Sequence, residues 1–462
     1  MEPVRFDAAL YRKYDTAGPR YTSYPTAPQF HEGFDESAYR EQARLGNEDP
    51  IPKPLSLYVH IPFCESLCYY CACNKIITRH RNKSVRYLQY LNREIALQGR
   101  LFDDDRQVEQ LHFGGGTPTY LSDEQLQALM VELGQRFNLA EPARREFSIE
   151  VDPRALGPET LPVLAAEGMN RISMGVQDFD PAVQRAVNRL QSFELTEAAV
   201  RQARESGFRS VSLDLIYGLP LQNLASFERT LDQVLSLRPE RLAIYNYAHL
   251  PHLVKAQKLI RQADLPSPPV KLQLLALSIE RLTAAGYVYI GMDHFARPDD
   301  ELALARERGD LQRNFQGYST HADTDLVGLG NTAIGKLAHS YSQNLKTLNS
   351  YYAELDAGRL PVWRGVRLDD DDRLRRDVIN RLMCQERLDY SEVEERHHIV
   401  FRNYFAAELR ALESMAVDGL LEIERRGLRV TPVGRLLLRN IAMVFDSYLN
   451  HDQGQTRFSR TV

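Results

Sequence analysis

The chain has 462 residues, 43% of them hydrophobic, enough to bury a large core in one to three domains. Its 57 basic and 62 acidic residues are interspersed to a net charge of −5, which excludes a global field for nucleic acid or an anionic membrane. No long apolar run occurs and Met1 to Tyr14 is charged throughout, so the expectation is a soluble, cytoplasmic protein with no membrane or nucleic-acid partner, and nothing demands more than a monomer.

Residues 1–50 open with Tyr14-Asp-Thr-Ala-Gly-Pro-Arg20-Tyr-Thr-Ser-Tyr24-Pro, whose prolines and turn residues predict an irregular arm. From residue 51 short apolar runs alternate with helical patterns. The predicted strands are 55–60, 108–113, 146–151, 171–176, 210–216 and 241–247, and the predicted helices 88–101, 123–137, 158–166, 196–206 and 226–237. Such alternation predicts a parallel α/β sheet curving into a full or partial barrel, with chemistry at the C-terminal strand ends. The stretch 290–365 reads as less regular, with a glycine-rich turn at Gly328-Leu-Gly-Asn-Thr-Ala-Ile334. From 366 helical patterns return, then a hairpin signal at 420–432 and a helix predicted over 433–449, an order that resembles a winged helix. Acids among the bases of that last stretch weigh against a nucleic-acid role.

Four of the five cysteines, Cys64, Cys68, Cys71 and Cys73, lie just after the first predicted strand, on the rim where chemistry gathers. So crowded and odd-numbered a set makes a poor disulfide framework and suits thiolate ligands. The fifth, Cys384, lies in an apolar helical pattern and reads as a buried structural thiol. Zinc takes four ligands in two separated pairs, and no second pair exists here. Three close cysteines can instead ligate three irons of a 4Fe-4S cluster, leaving the fourth iron open.

Cys64-x3-Cys68-x2-Cys71 after a first strand resembles the signature of the radical S-adenosylmethionine (SAM) enzymes, and Gly114-Gly-Gly-Thr-Pro118 resembles their glycine motif. Tyr58-Val-His-Ile-Pro-Phe, Cys73, Ser148-Ile-Glu-Val-Asp-Pro, Gly175-Val-Gln-Asp-Phe, Asn188-Arg, Asp214-Leu-Ile-Tyr-Gly-Leu-Pro and Tyr245-Asn-Tyr-Ala-His-Leu-Pro narrow the resemblance to the oxygen-independent coproporphyrinogen III oxidases of haem biosynthesis. That resemblance implies a partial, TIM-like radical SAM barrel of six β/α units with an N-terminal arm (1–50), a catalytic domain with its extension (51–365) and a mainly helical, winged-helix-like C-terminal domain (366–462). It implies a 4Fe-4S cluster on Cys64, Cys68 and Cys71 and two SAM molecules. Tyr58, Gly115, Glu150 and Ile334 would contact the cluster-bound SAM; Tyr70, Gly116, Thr117, Gln177, Arg189, Asp214 and Ala248 would contact the second. Tyr58 and Cys73 are the implied catalytic residues, and His60 would tune the cluster.

The implied reaction converts two propionates of coproporphyrinogen III to vinyl groups after hydrogen abstraction by a 5'-deoxyadenosyl radical. It draws electrons from a donor and passes one to an acceptor. Lys75, Arg20 and Arg297 are candidates for gripping the substrate's carboxylates. The alternative is a radical SAM haem chaperone, which lacks a cysteine at the position of Cys73 and carries a His-Asn-x-x-Tyr-Trp stretch; here the one tryptophan, Trp363, follows Pro361-Val.

Overall fold

The computed structural model describes residues 4–321, 324–449, 458 and 460. The six predicted strands form as β1 (Leu55–Ile61), β2 (Val108–Gly115), β3 (Glu146–Val151), β4 (Arg171–Gln177), β5 (Ser210–Tyr217) and β6 (Arg241–Asn246). They pair in sequence order, all parallel. Helices return the chain between them: α1 (Asn82–Gly99), α2 (Asp123–Arg136), α3 (Thr160–Ala166), α4 (Phe193–Glu205) and α5 (Leu224–Leu237). Capping boxes at Ser122/Gln125 and Asn223/Ser226 start α2 and α5 where the chain leaves the strand ends. After β6 a further helix, α6 (Pro268–Ala284), goes unpredicted by the apolar pattern.

Alternation along β1 sorts its side chains: Leu57, Val59 and Ile61 are wholly buried with the apolar stripe Tyr87, Leu91 and Ile95 of α1. Tyr58 and His60 point to the other face, where the polar side chains of neighbouring strands gather.

Among the described residues the sheet is wider than the six predicted strands, with twelve in all and no closure into a barrel. Beyond β6 lie β7 (Val288–Gly291) and β8 (His294–Ala296), with β8 antiparallel to β6. On the other flank β9 (Asp325–Leu329) runs parallel to β1, followed by antiparallel β10 (Ile334–Leu337), β11 (Ser340–Asn344) and β12 (Val362–Arg367). The stretch 290–365 therefore adds strands to the same sheet rather than forming an irregular extension. β9 is buried on both faces, so its run shows no alternation to read.

The C-terminal region contains the long helix α7 (Asp370–Gln385), the helix α8 (Ala406–Val417) and a three-stranded sheet in the order Arg387–Asp389, Gly427–Val430, Leu421–Ile423, which keeps the winged-helix-like order. The helix predicted over 433–449 is shorter: a 3-10 turn at Gly434–Leu437 and a helix at Leu438–Met443. The chain leaves helical geometry so that Asp446 accepts from Tyr21 Oη at 2.9 Å and Ser447 Oγ meets Tyr24 Oη at 2.9 Å. Through these contacts Tyr21 and Tyr24 of the arm share a core with the C-terminal helices. The arm is also more regular than predicted, since Asp35 caps a helix at Glu36–Asn47 that buries Tyr39 and Ala43.

Candidate active site

The cysteine loop leaves β1 through Phe63–Cys64, which pairs in parallel with Ile76–Ile77. Backbone bonds anchor its middle: Tyr69 N donates to Val187 O at 3.0 Å, and Asn188 Nδ2 to Leu67 O at 2.8 Å. All five cysteines are free; Cys64 and Cys71 are partly exposed, Cys68 is buried, and Cys73 is exposed. Cys384, also buried, donates to Asn380 Oδ1 at 3.3 Å, which keeps its structural reading.

Hydrogen-bond donors surround the first three thiols. Thr117 Oγ1 lies 3.5 Å from Cys64 Sγ, and Arg154 Nη2 and Arg189 Nη1 lie 3.6 and 3.7 Å from Cys68 Sγ. Burial, reinforced by Cys71 and Cys68, pushes the Cys64 thiol up to about 11, whereas its contact with Cys73 and the nearby Lys75 ammonium hold Cys71 down at about 6. Among the described residues no three His, Cys, Asp or Glu side chains converge on one metal-binding point. The donor set nonetheless fits an iron-sulfur cluster: three soft thiols on one loop, with cationic and hydroxyl donors aimed at the sulfurs to offset thiolate charge.

The glycine segment at the end of β2 crosses directly beside this loop. Gly116 N donates to Ile61 O and Thr117 N to Phe63 O, both at 2.8 Å. A side chain fits at neither glycine. A Cβ on Gly115, whose φ is +114°, would lie 2.6 Å from the His60 ring, and one on Gly116 would lie 2.7 Å from Phe63 O.

Glu150 at the end of β3 accepts from Gly115 N at 3.2 Å and meets His112 Nε2 at 3.3 Å. Burial alone would raise its carboxyl, but the hydrogen bond and charge of His112 and the Gly115 N–H hold it below the usual range. Tyr58 stacks on His112, 5.9 Å between ring centroids, and its hydroxyl meets His60 Nδ1 at 3.1 Å. Gly328, the register partner of Tyr58, packs against the backbone of Ile334, which brings Ile334 to the same end of the sheet.

A second group forms on the far side of the cysteine loop. Arg189, 7% exposed, meets Asp152 at 3.2 Å and donates to Gly175 O at 2.5 Å, while its Nε has no partner among the described residues. Gln177 ends β4 at a register shift with φ +67°. Asp214 accepts from Ser173 Oγ at 3.2 Å; burial and the charge of Glu150 push it up to about 7. Gln257 Nε2 ties Tyr70 O to Ala248 O at 3.0 and 3.1 Å.

The candidate carboxylate grips divide. Arg20 reaches the rim from the arm, pairing Asp293 with its guanidinium 5.7 Å from the Tyr245 ring. Lys75 Nζ is held on Cys71 O at 2.6 Å. Arg297 is corrected: it pairs Asp299 and Glu240 beside the N-terminal start of β6, away from the rim, because β8 runs antiparallel and carries it there. A cavity of about 670 Å³ beside Ala248 is lined by Arg20, Lys271 and Arg439. Burial pushes the Lys271 ammonium down to about 8, and its bond is to Tyr247 O at 3.0 Å.

Sequence reasoning gave no role to Arg154, Asp152, Lys271 or Glu94. The fully buried Glu94 accepts from Gly330 N at 2.7 Å, Tyr351 Oη at 2.5 Å and Asn344 Nδ2 at 2.6 Å. Its signal was present, an acid on the apolar stripe of α1 beside Leu91 and Ile95.

The Radical SAM superfamily model matches residues 58–234, and the HemN C-terminal domain model matches residues 368–437. The chain is 51% identical to an oxygen-independent coproporphyrinogen III oxidase from Pseudomonas aeruginosa and 50% identical to one from Escherichia coli, over 100% of each chain in both cases. It is also similar to a solved structure described as coproporphyrinogen III oxidase from Escherichia coli, a radical SAM enzyme. The TM-score is 0.92 at 50% identity, covering 97% of this chain and 100% of that one. No helix among the described residues is long and apolar enough to cross a membrane.

Proposed function

The chain belongs to the oxygen-independent coproporphyrinogen III oxidase family, and from that premise we propose how its rim residues share the work. The reaction is the oxidative decarboxylation of two propionate side chains of coproporphyrinogen III to vinyl groups, giving protoporphyrinogen IX in anaerobic haem biosynthesis. Cofactors are a 4Fe-4S cluster and SAM, which when bound supply a radical that removes a hydrogen atom.

In this reading Cys64, Cys68 and Cys71 hold the cluster, with Arg154, Arg189 and Thr117 offsetting its charge. Tyr58, Gly115, Glu150 and Ile334 hold one SAM; ionised Glu150 accepts from a hydroxyl or an ammonium, and Gly115 lets backbone approach. Tyr70, Gly116, Thr117, Gln177, Arg189, Asp214 and Ala248 hold a second SAM, for which Arg189 is a buried carboxylate partner. Cys73, exposed beside Cys71, stays free of iron and acts on the substrate side. Arg20 and Lys271 receive substrate carboxylates in the cavity beside Ala248. An external donor and acceptor carry the electrons, and the enzyme works as a cytoplasmic monomer divided as 1–50, 51–365 and 366–462.

The observation that carries the reading is that 50–51% identity runs through the whole chain rather than the radical SAM segment alone. A haem chaperone is not favoured. Anaerobically reconstituted protein with SAM, a reductant and an acceptor is expected to consume coproporphyrinogen III and form 5'-deoxyadenosine. Intact substrate with the cluster confirmed refutes it.

A further inference from the structure

The segment that follows the cysteine cluster is basic in a chain whose net charge is negative. Residues 66–93 hold six Lys and Arg (Lys75, Arg79, Arg81, Lys83, Arg86 and Arg93) and no Asp or Glu, within a protein of net charge −5. Arg79, Arg81, Lys83 and Arg86 are all exposed. Arg81 pairs Glu65 and Arg93 pairs Asp356, whereas among the described residues Arg79 and Lys83 have no carboxylate partner. Two apolar side chains stand uncovered among these charges, Ile77 at 39% and Val85 at 47% exposed.

This surface abuts a cluster cysteine. Ile77 is the strand partner of Cys64, and Thr78 N donates to Cys64 O at 2.9 Å, so the exposed Ile77 is one hydrogen-bonded strand away from the thiol's backbone. Exposed apolar side chains interspersed with exposed cations suit a docking partner that is acidic. The reaction draws electrons from outside the chain, and the patch offers a path to Cys64 through Ile76–Ile77.

We propose that the surface formed by Ile77, Arg79, Lys83 and Val85 docks an acidic protein that delivers one electron at a time to the cysteine-held cluster. The proposal rests on the reading of Cys64, Cys68 and Cys71 as cluster ligands. In each encounter the carrier loses one electron and the cluster gains it; no bond breaks and no proton moves.

The test uses anaerobically reconstituted holoenzyme with flavodoxin hydroquinone as the acidic carrier and dithionite as a small-molecule donor. Binding is followed by calorimetry at low and high salt, and turnover by 5'-deoxyadenosine formation. Charge reversal in the double variant Arg79→Glu, Lys83→Glu is expected to weaken flavodoxin binding and flavodoxin-driven turnover about tenfold at low salt. Dithionite-driven turnover stays unchanged, and added salt shrinks the difference by screening. A second basic pair serves as the control: Lys255→Glu with Lys258→Glu, between the exposed Leu253 and Leu259, leaves binding unchanged. The proposal is overturned if the first double variant binds flavodoxin as the parent does. It is equally overturned if the control pair weakens binding instead, if dithionite-driven turnover falls in parallel, or if duplex DNA binds more tightly than the carrier. Absence of iron and of a cluster signal in the parent protein would overturn the ligand reading itself, a failure distinct from lost docking on an intact cluster.

Discussion

Glu94→Gln isolates one buried acid and yields a pH-dependent signature. The carboxyl is 0% exposed and lies among three donors, Gly330 N, Tyr351 Oη and Asn344 Nδ2. Burial pushes it from an ordinary 4.5 up to about 7. The folded protein therefore holds this proton more tightly than the unfolded chain, so the contribution to stability is full below pH 4.5 and is lost as pH rises through 7. At ~1.4 kcal/mol per pH unit that interval corresponds to roughly 3 kcal/mol, most of which falls between pH 5 and 8. Glutamine does not titrate, and its amide NH2 faces at least one of the three donors, so at pH 5 the variant is expected to be ~1–3 kcal/mol less stable. The gap then closes, or inverts, by pH 8. Urea unfolding of parent and variant across that range reads the difference, with an unchanged m-value confirming comparable unfolding. A difference that stays flat from pH 5 to 8 refutes the buried-acid reasoning. Because Glu94 holds the backbone of the Gly330–Ile334 turn, SAM affinity should weaken in the variant, while iron content should not change.

Arg106→Met leaves Asp325 buried without its 2.7 Å guanidinium partner, and thermal or urea unfolding should show a loss of ~3–5 kcal/mol that adding Asp325→Asn largely restores. Gly115→Ala places a methyl 2.6 Å from the His60 ring at a positive φ, at a cost of ~1–3 kcal/mol, so calorimetry should find SAM binding at least about tenfold weaker with iron content intact; equal affinity would mean the close approach has no role. Cys73→Ser is expected to keep its iron and cluster spectrum and to lose turnover; loss of iron would make Cys73 a ligand.

The cysteine spacing, the glycine motif and the six strand runs were legible because each is local. Alternation along Leu55–Ile61 is the pleat itself, so its buried and site-facing residues could be separated by eye. Strand β9 was missed for the opposite reason: buried on both faces, Asp325–Leu329 has no alternation. Helix α6 went unread because it begins Pro268-Pro, where proline suits the first turn, and carries leucines on more than one face, which blurs its apolar stripe. The overlong helix at 433–449 ignored a partner far away in sequence, since Asp446 and Ser447 turn to meet Tyr21 and Tyr24 of the arm.

In the candidate site, the residue types were visible in the sequence, but their environment was not. Arg297 looked like a substrate grip until the antiparallel course of β8 carried it to the opposite end of the sheet. Arg154 reaches Cys68 Sγ from 86 positions along the chain, a contact no local pattern encodes.

By itself, then, the chain's order of residues set out the candidates: which thiols crowd after the first strand, where glycines let backbones approach closely, and which runs pleat into a parallel sheet, because these depend on side-chain type and short spacing. Only the tertiary structure decided which charges face those thiols, that Glu150 stays ionised while Asp214 rises to about 7, and that an exposed basic surface lies one strand from Cys64. Those properties are set by burial and by neighbours brought together across long separations, and burial exists only once the chain has folded.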